Sequence, residues 1–197
     1  MKECQIFGGL FQYSKKSHIC GLNQRINDGY LRILQMKNLK ERGAFMVLKE
    51  KEQTTIEDLR TQEQSCVEKY HRYGQQAKDP VLKDLFDRLE KEEQHHYDSL
   101  GQVLKGQVPQ CNVNDSDGAS YQPKATYDTM TNSEDKKNDC FLATDCIGTE
   151  KMVSGEYNSN VFVFEDSNLR KLLADIQVEE QNHAEMLYKY KTVNGMA

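Results

Sequence analysis

Tryptophan is absent from this 197-residue chain, and proline occurs only three times and glycine twelve. Such a shortage of turn-formers argues against a disordered or fibrous chain. With abundant Glu, Lys, Gln and Leu it favours helices over a β-sandwich. No segment approaches the ~18 uncharged apolar residues of a membrane span, so no membrane role is expected. The net charge of -5 excludes a general nucleic-acid binder. Of the six cysteines (Cys4, Cys20, Cys66, Cys111, Cys140 and Cys146) none stands in a CxxC pair. That excludes a zinc ribbon or a rubredoxin-type iron site. Without an export signal, free thiols in a reducing compartment are expected.

Charge is unevenly spread. Residues 1–45 carry eight Lys or Arg against three acids, whereas residues 46–197 carry 18 against 28. The basic extension 1–45 does not read as a secretory signal, because its apolar run from Ile6 to Phe11 is short and broken by Gly8 and Gly9. Two readings of it stand side by side. It is a binding or targeting arm, or it is not part of the native protein. For the second, Lys40-Glu41-Arg42 is encodable as a bacterial ribosome-binding sequence, with Met46 following at a suitable distance.

A repeat organises the rest. Residues 61–100 align without a gap on 148–187, an offset of 87, with ten of 40 positions identical. Glu63 falls on Glu150, Tyr70 on Tyr157, Asp79 on Asp166, Glu92-Glu93-Gln94 on Glu179-Glu180-Gln181, and His96 on His183. Each copy reads as two helices. The first is expected to start at the capping-box pattern Thr54-Thr55-Ile56-Glu57. Ile56, Leu59, Glu63, Cys66, Tyr70, Tyr73 and Ala77 then recur at steps of three and four. Asp79-Pro80 ends it and caps the next helix, which Lys105-Gly106 closes. In the second copy Ile147, Glu150, Val153, Tyr157, Val161 and Phe164 line a third helix. A fourth follows and stops at Asn194-Gly195. The expected fold is all-α: a first hairpin over 46–106, a long crossover over 107–137 and a second hairpin over 138–197. Two hairpins joined by one long crossover give the ferritin-like four-helix topology.

The chemistry lies where acids interrupt apolar stripes. Glu93 and His96 are three apart and share the apolar face of their helix; Glu180 and His183 repeat the arrangement. Glu63 and Glu150 each precede a Glu-x-x-His glutamate by 30 residues. Four buried carboxylates facing one another would cost several kcal/mol each in desolvation, plus repulsion. Two divalent cations would balance their charge. One Glu from each of two helices plus Glu-x-x-His from each of two others is the ligand set of di-iron and di-manganese bundles. Its oxygen-rich character suits two Fe or two Mn ions over copper or structural zinc. The competing reading is a decayed site kept as a polar core.

Four residues are expected to support the ligands. Tyr70 and Tyr157 lie two turns after Glu63 and Glu150, within reach to hydrogen-bond ligands or simply to pack. Glu92 and Glu179 lie four residues before the histidines, as acceptors for a ring N–H or as solvated surface carboxylates. His71 and His95 read as surface residues and Cys66 as a small apolar filler.

Residues 47–195 resemble the clostridial spore-coat proteins of the ferritin-like superfamily. Glu63 to Tyr70 and Glu92-Glu93-Gln94-His95-His96 carry the resemblance in the first hairpin. Thr149 to Ser154, Tyr157-Asn158, Glu179 to His183 and Asn194-Gly195-Met196 are similar to the coat-F domain. The resemblance implies synthesis in the mother-cell cytoplasm of a spore-forming bacterium, then deposition in the spore coat, with other coat proteins or further copies of the chain as partners. The superfamily includes rubrerythrins and manganese catalases. By that resemblance Glu93 and Glu180 would bridge two metals, with Glu63, Glu150, His96 and His183 as terminal ligands. The activity implied is peroxidase- or catalase-like, drawing on an external electron donor in the first case. A purely structural coat component is the alternative.

Overall fold

A computed structural model describes residues 46–110 and 116–197. The extension 1–45, the two readings of it, and Cys4, Cys20 and Cys111 lie outside the described residues.

Four long helices dominate: α1 (Glu50–Gln76), α2 (Pro80–Leu104), α4 (Glu134–Asn160) and α5 (Ser167–Val193). A single turn, α3 (Asp117–Ser120), precedes α4, and a 3-10 turn, Val161–Val163, follows it. The described residues contain no strand. Helix α1 packs along α2 and α4 along α5, and thinner contacts from α1 to α4 and from α2 to α5 join the two pairs into a helical bundle.

The repeat is visible in how α2 and α5 begin and end. Asp79 accepts a hydrogen bond from the Val81 N–H at 2.9 Å, and Asp166 accepts from Asn168 and Leu169 at 2.8 and 2.9 Å. These caps satisfy N–H groups that the helix itself leaves open. Gly106 and Gly195 close the same helices with φ of 79° and 62°. The N–H groups of Gln107 and Met196 reach back to Gln102 O and Lys191 O at 3.0 and 2.9 Å, the bond that characterises a left-handed helix stop.

Three helix boundaries differ from the sequence expectation. Helix α1 starts at Glu50, ahead of the threonine pair; Thr54 and Thr55 return their hydroxyls to the carbonyls of Glu50 and Lys51 at 3.0 and 2.9 Å. The cap sits at Lys49, whose N–H is held by Glu52 at 2.8 Å. Met46 and Leu48 pack against the core, so tertiary contacts pull the start forward. Helix α4 starts at Glu134, with Ser133 accepting from the Lys136 N–H at 3.2 Å, so the crossover is shorter than 107–137. Helix α4 also ends at Asn160, before Val161 and Phe164. Phe164 is extended (φ -95°, ψ 135°) yet buried, plugging the bundle where the chain turns back into α5.

Apolar side chains form two separate clusters. One gathers Ile56, Leu59, Leu100, Val103, Val153, Leu169, Leu172 and Ile176; the other Leu82, Leu85, Phe86, Leu89, Leu142, Met186, Leu187 and Tyr190. Each fully buried aliphatic side chain is worth about 1.5–3 kcal/mol. On α2, α4 and α5 the acids and histidines fall between the residues of one cluster and those of the other. The core is therefore oily at both ends and polar in the middle.

The crossover is tied down by backbone contacts. Lys189 Nζ bonds to the carbonyls of Gly118 and Ala119 at 2.6 and 2.8 Å. The N–H groups of Thr126 and Tyr127 both donate to Asn194 Oδ1 at 2.9 Å.

Candidate metal centre

All six side chains singled out from the repeat converge on one place. Glu63 of α1, Glu93 and His96 of α2, Glu150 of α4, and Glu180 and His183 of α5 are each at most 3% exposed. Their ligand-capable atoms fall into two quartets, each within 4.8 Å: Glu63, Glu93, His96 and Glu180, then Glu93, Glu150, Glu180 and His183. Glu93 and Glu180 belong to both. The imidazoles of His96 and His183 lie 5.8 Å apart, centroid to centroid, and nearly parallel.

The partners of these residues are crossed between helices. Tyr70 on α1 donates its hydroxyl to Glu150 on α4, and Tyr157 on α4 donates to Glu63 on α1. His96 Nε2 lies 2.7 Å from Glu179 Oε2, a carboxylate of α5 rather than of its own helix. Sequence spacing pairs Glu179 with His183 or with solvent; the side chain instead leans across to the opposite helix. A proton on Nε2 shared with Glu179 leaves Nδ1 facing inward, where it is 3.1 Å from Glu180 Oε1 and makes no hydrogen bond. His183 Nδ1 is 3.0 Å from Glu93 Oε1. Glu92 is half-buried and borders a small cleft with His183. His71 and His95 are exposed, Cys66 is buried among apolar side chains, and Cys66, Cys140 and Cys146 are free thiols, all as expected.

Among the described residues six buried polar atoms have no hydrogen-bond partner: Glu63 Oε2, Glu93 Oε2, His96 Nδ1, Glu150 Oε2 and both oxygens of Glu180. Every one belongs to the convergent set. A buried acceptor left unpaired costs about 1–3 kcal/mol, and more when charged. Five carboxylate oxygens and an imidazole nitrogen aimed at a common centre are a donor set for hard or borderline divalent cations. The residues therefore fit a two-ion group of that kind.

Electrostatics point the same way. Burial pushes Glu63 up to about 7, against a pull from His96. Burial, with the neighbouring Glu93, Glu150 and Glu63 charges, raises Glu180 well above the carboxylate range. Burial also works against the Glu93 carboxylate, but the hydrogen bond with His183 and the nearby His96 imidazole outweigh it and hold Glu93 below its ordinary value. His183 is likewise opposed by burial, yet Glu150 and Glu93 lift it to about 9. Burial disfavours the charge on His96, but Glu179 and the surrounding Glu180, Glu63 and Glu93 raise it well above 6.5. Without cations the cluster gathers protons in their place.

Residues 138–197 match the family model of the Coat F domain. The matched stretch runs from the second turn of α4 to the end of the chain, and so holds Glu150, Glu180 and His183 but not their counterparts on α1 and α2. No curated protein and no solved structure matches the chain.

Proposed function

We propose that this chain is a ferritin-like protein of the spore coat that holds two Fe or two Mn ions and uses them to reduce or dismutate peroxide or O₂. The observation that carries the reading is the pair of buried quartets sharing Glu93 and Glu180, to which every unpartnered buried polar atom of the described residues belongs. Glu93 and Glu180 are assigned as the shared ligands. Glu63 and His96 serve one ion, Glu150 and His183 the other.

When bound, such an ion pair supplies Lewis acidity and exchangeable electrons to a small oxygen species. The protein's contribution is positioning. Tyr157 and Tyr70 each hold one oxygen of Glu63 and Glu150, which leaves the other free for a cation. Glu179 fixes the His96 tautomer so that Nδ1 faces inward. The apolar clusters above and below keep bulk water away. No cysteine of the sequence stands in the CxxC pair of a rubredoxin-type site, so a peroxidase-like cycle would draw electrons from an external donor; dismutation would need none.

The Coat F match supports a role in the spore coat; synthesis in the mother-cell cytoplasm, and other coat proteins or further copies of this chain as partners, are part of the proposal. That match also favours the second reading, a structural coat component in which bound ions only staple the bundle. Metal analysis of protein from its native host, followed by peroxide consumption in the loaded state, separates them. Two ions per chain, with turnover lost in Glu93→Ala, support the catalytic reading. Two ions without turnover leave the structural one. A chain that takes up no divalent cation overturns the metal centre itself.

A further inference from the structure

We propose that the cleft between α2 and α5, roofed by α3, is the way by which cations and peroxide-sized molecules reach the centre, with the Arg88–Asp117 ion pair setting the width of its mouth. The inference rests on the metal-centre reading above and adds its access path and the substrate size it admits.

The cleft offers about 20 Å³, room for roughly one water-sized occupant. Its inner wall is His183 and Glu179, the carboxylate that holds His96. Its mouth is framed by Glu92, Asn182, Arg88 and Asp117. Around the whole cleft three carboxylates (Glu92, Asp117 and Glu179) face one guanidinium, so it attracts cations. The opposite seam, between α1 and α4, is shut by a network: Lys69 Nζ bonds Asp145 at 2.9 Å and Thr149 at 2.6 Å, and Tyr73 bonds Asp145 at 2.9 Å.

The roof is held in two different ways. On α5 it is seated through its backbone. The Gly118 N–H donates to Asn182 Oδ1 at 3.1 Å, and a Cβ on Gly118 would lie 2.7 Å from Glu185 Oε2 and 3.1 Å from the Asn182 Cα. Only glycine lets the turn sit so low. On α2 the Arg88–Asp117 pair latches it, Arg88 Nη2 to Asp117 Oδ2 at 2.8 Å, with both partners half-exposed. A pair of that exposure opens readily, so the mouth yields on the α2 side while α5 holds the hinge. A cleft of that size passes hydrogen peroxide, two oxygens long, after a small opening of the mouth; tert-butyl hydroperoxide, with three methyl groups on its carbon, needs a much wider one.

The test compares the full chain with Arg88→Ala and Asp117→Asn, which unfasten the latch from either side. Cobalt(II) uptake by stopped-flow absorbance reads the path independently of turnover. Single-turnover oxidation of the Fe(II)-loaded protein by hydrogen peroxide and by tert-butyl hydroperoxide reads its width. Each peroxide takes one electron from each of two Fe(II) ions and two protons, leaving two waters in one case, and tert-butanol and water in the other. Both variants should load about threefold to fivefold faster, the range a half-exposed ion pair can deliver. They should keep the wild-type stoichiometry and gain on the bulkier peroxide relative to the smaller. Unchanged loading and an unchanged peroxide ratio in both variants overturn the path and leave the centre standing. A wild-type chain that takes up no Co(II) refutes the centre, and the path with it.

Discussion

The hydroxyl of Tyr157 on α4 donates a hydrogen bond to the carboxylate of Glu63 on α1, so the buried glutamate of one hairpin is oriented by a tyrosine of the other. Tyr70 returns the bond from α1 to Glu150. The exchange ties the two halves of the repeat together at the level of the centre, where apolar packing is missing. It predicts a crossed effect. Tyr157→Phe should weaken the ion held by Glu63 and His96, while the Glu150 and His183 site stays near wild type. Chelator competition should show about a 10- to 100-fold loss in one of two binding steps. An equal loss in both steps, or none, would contradict the assignment.

Unpaired acids in a core weaken it unless something positive is supplied. Glu180 carries two of the six unpartnered atoms and has neighbours of like charge. Replacing it with Leu should abolish binding of both ions, because Glu180 belongs to both quartets. The same change should stabilise the ion-free bundle by about 1–4 kcal/mol, the usual outcome when a buried charged group gives way to an apolar one. At about 2–4 °C per kcal/mol for a domain of this size, the shift is readable in a thermal melt. A variant that melts below the ion-free wild type would mean that Glu180 is a satisfied structural acid.

The ion-free protein should lose stability as pH rises. Glu63 goes from 4.5 to about 7 on folding and His183 from 6.5 to about 9, and both Glu180 and His96 are raised. A raised group stabilises the fold below its unfolded pKa, and that contribution disappears as pH passes the folded value. The melting temperature of ion-free protein should therefore fall between about pH 5 and pH 9. Glu93, held low, acts oppositely and only on the acid side of its ordinary value. Loaded protein should lack the alkaline fall, since cations take the place of protons, and cation affinity should climb over the same range. Melts of loaded and ion-free samples that run parallel across that range would refute the exchange of protons for ions.

The six convergent residues were legible in sequence because the 87-residue repeat puts each one into an apolar stripe, where an acid is conspicuous. Their partners were not. Periodicity says which residues share a face, but not which helix that face meets, so it marks Tyr70 and Tyr157 without their crossed carboxylates. For the same reason spacing sets Glu179 beside His183 rather than His96. Helix ends failed for a related reason: Met46 and Leu48 extend α1 by packing on distant residues, and no local pattern records that. The coat-F likeness of the second hairpin was visible in Glu150, Glu179 to His183 and Asn194-Gly195, and the family match falls on that stretch. Nothing in the crossover announced its role, because short polar residues become informative only when their distant partners are known.

That crossover supplies the last prediction. Asp139 Oδ1 and Oδ2 accept from the N–H groups of Lys78 and Asp79 at 2.9 and 2.8 Å, and Tyr127 donates to the same carboxylate at 2.8 Å. Asp79, besides capping α2, accepts from Tyr190 at 2.8 Å and from the Thr126 hydroxyl. Asn194 holds the N–H groups of Thr126 and Tyr127. One buried network thus joins the α1–α2 turn, the crossover and the end of α5, at a distance from the ligands. Asn194→Ala leaves two backbone donors without their acceptor, each costing about 1–3 kcal/mol. The variant should unfold at lower denaturant with an unchanged denaturant slope, while binding two ions with wild-type affinity at temperatures where it is folded. A variant as stable as the wild type would show that the crossover is only loosely attached, and a changed ion affinity would show that the network reaches the centre.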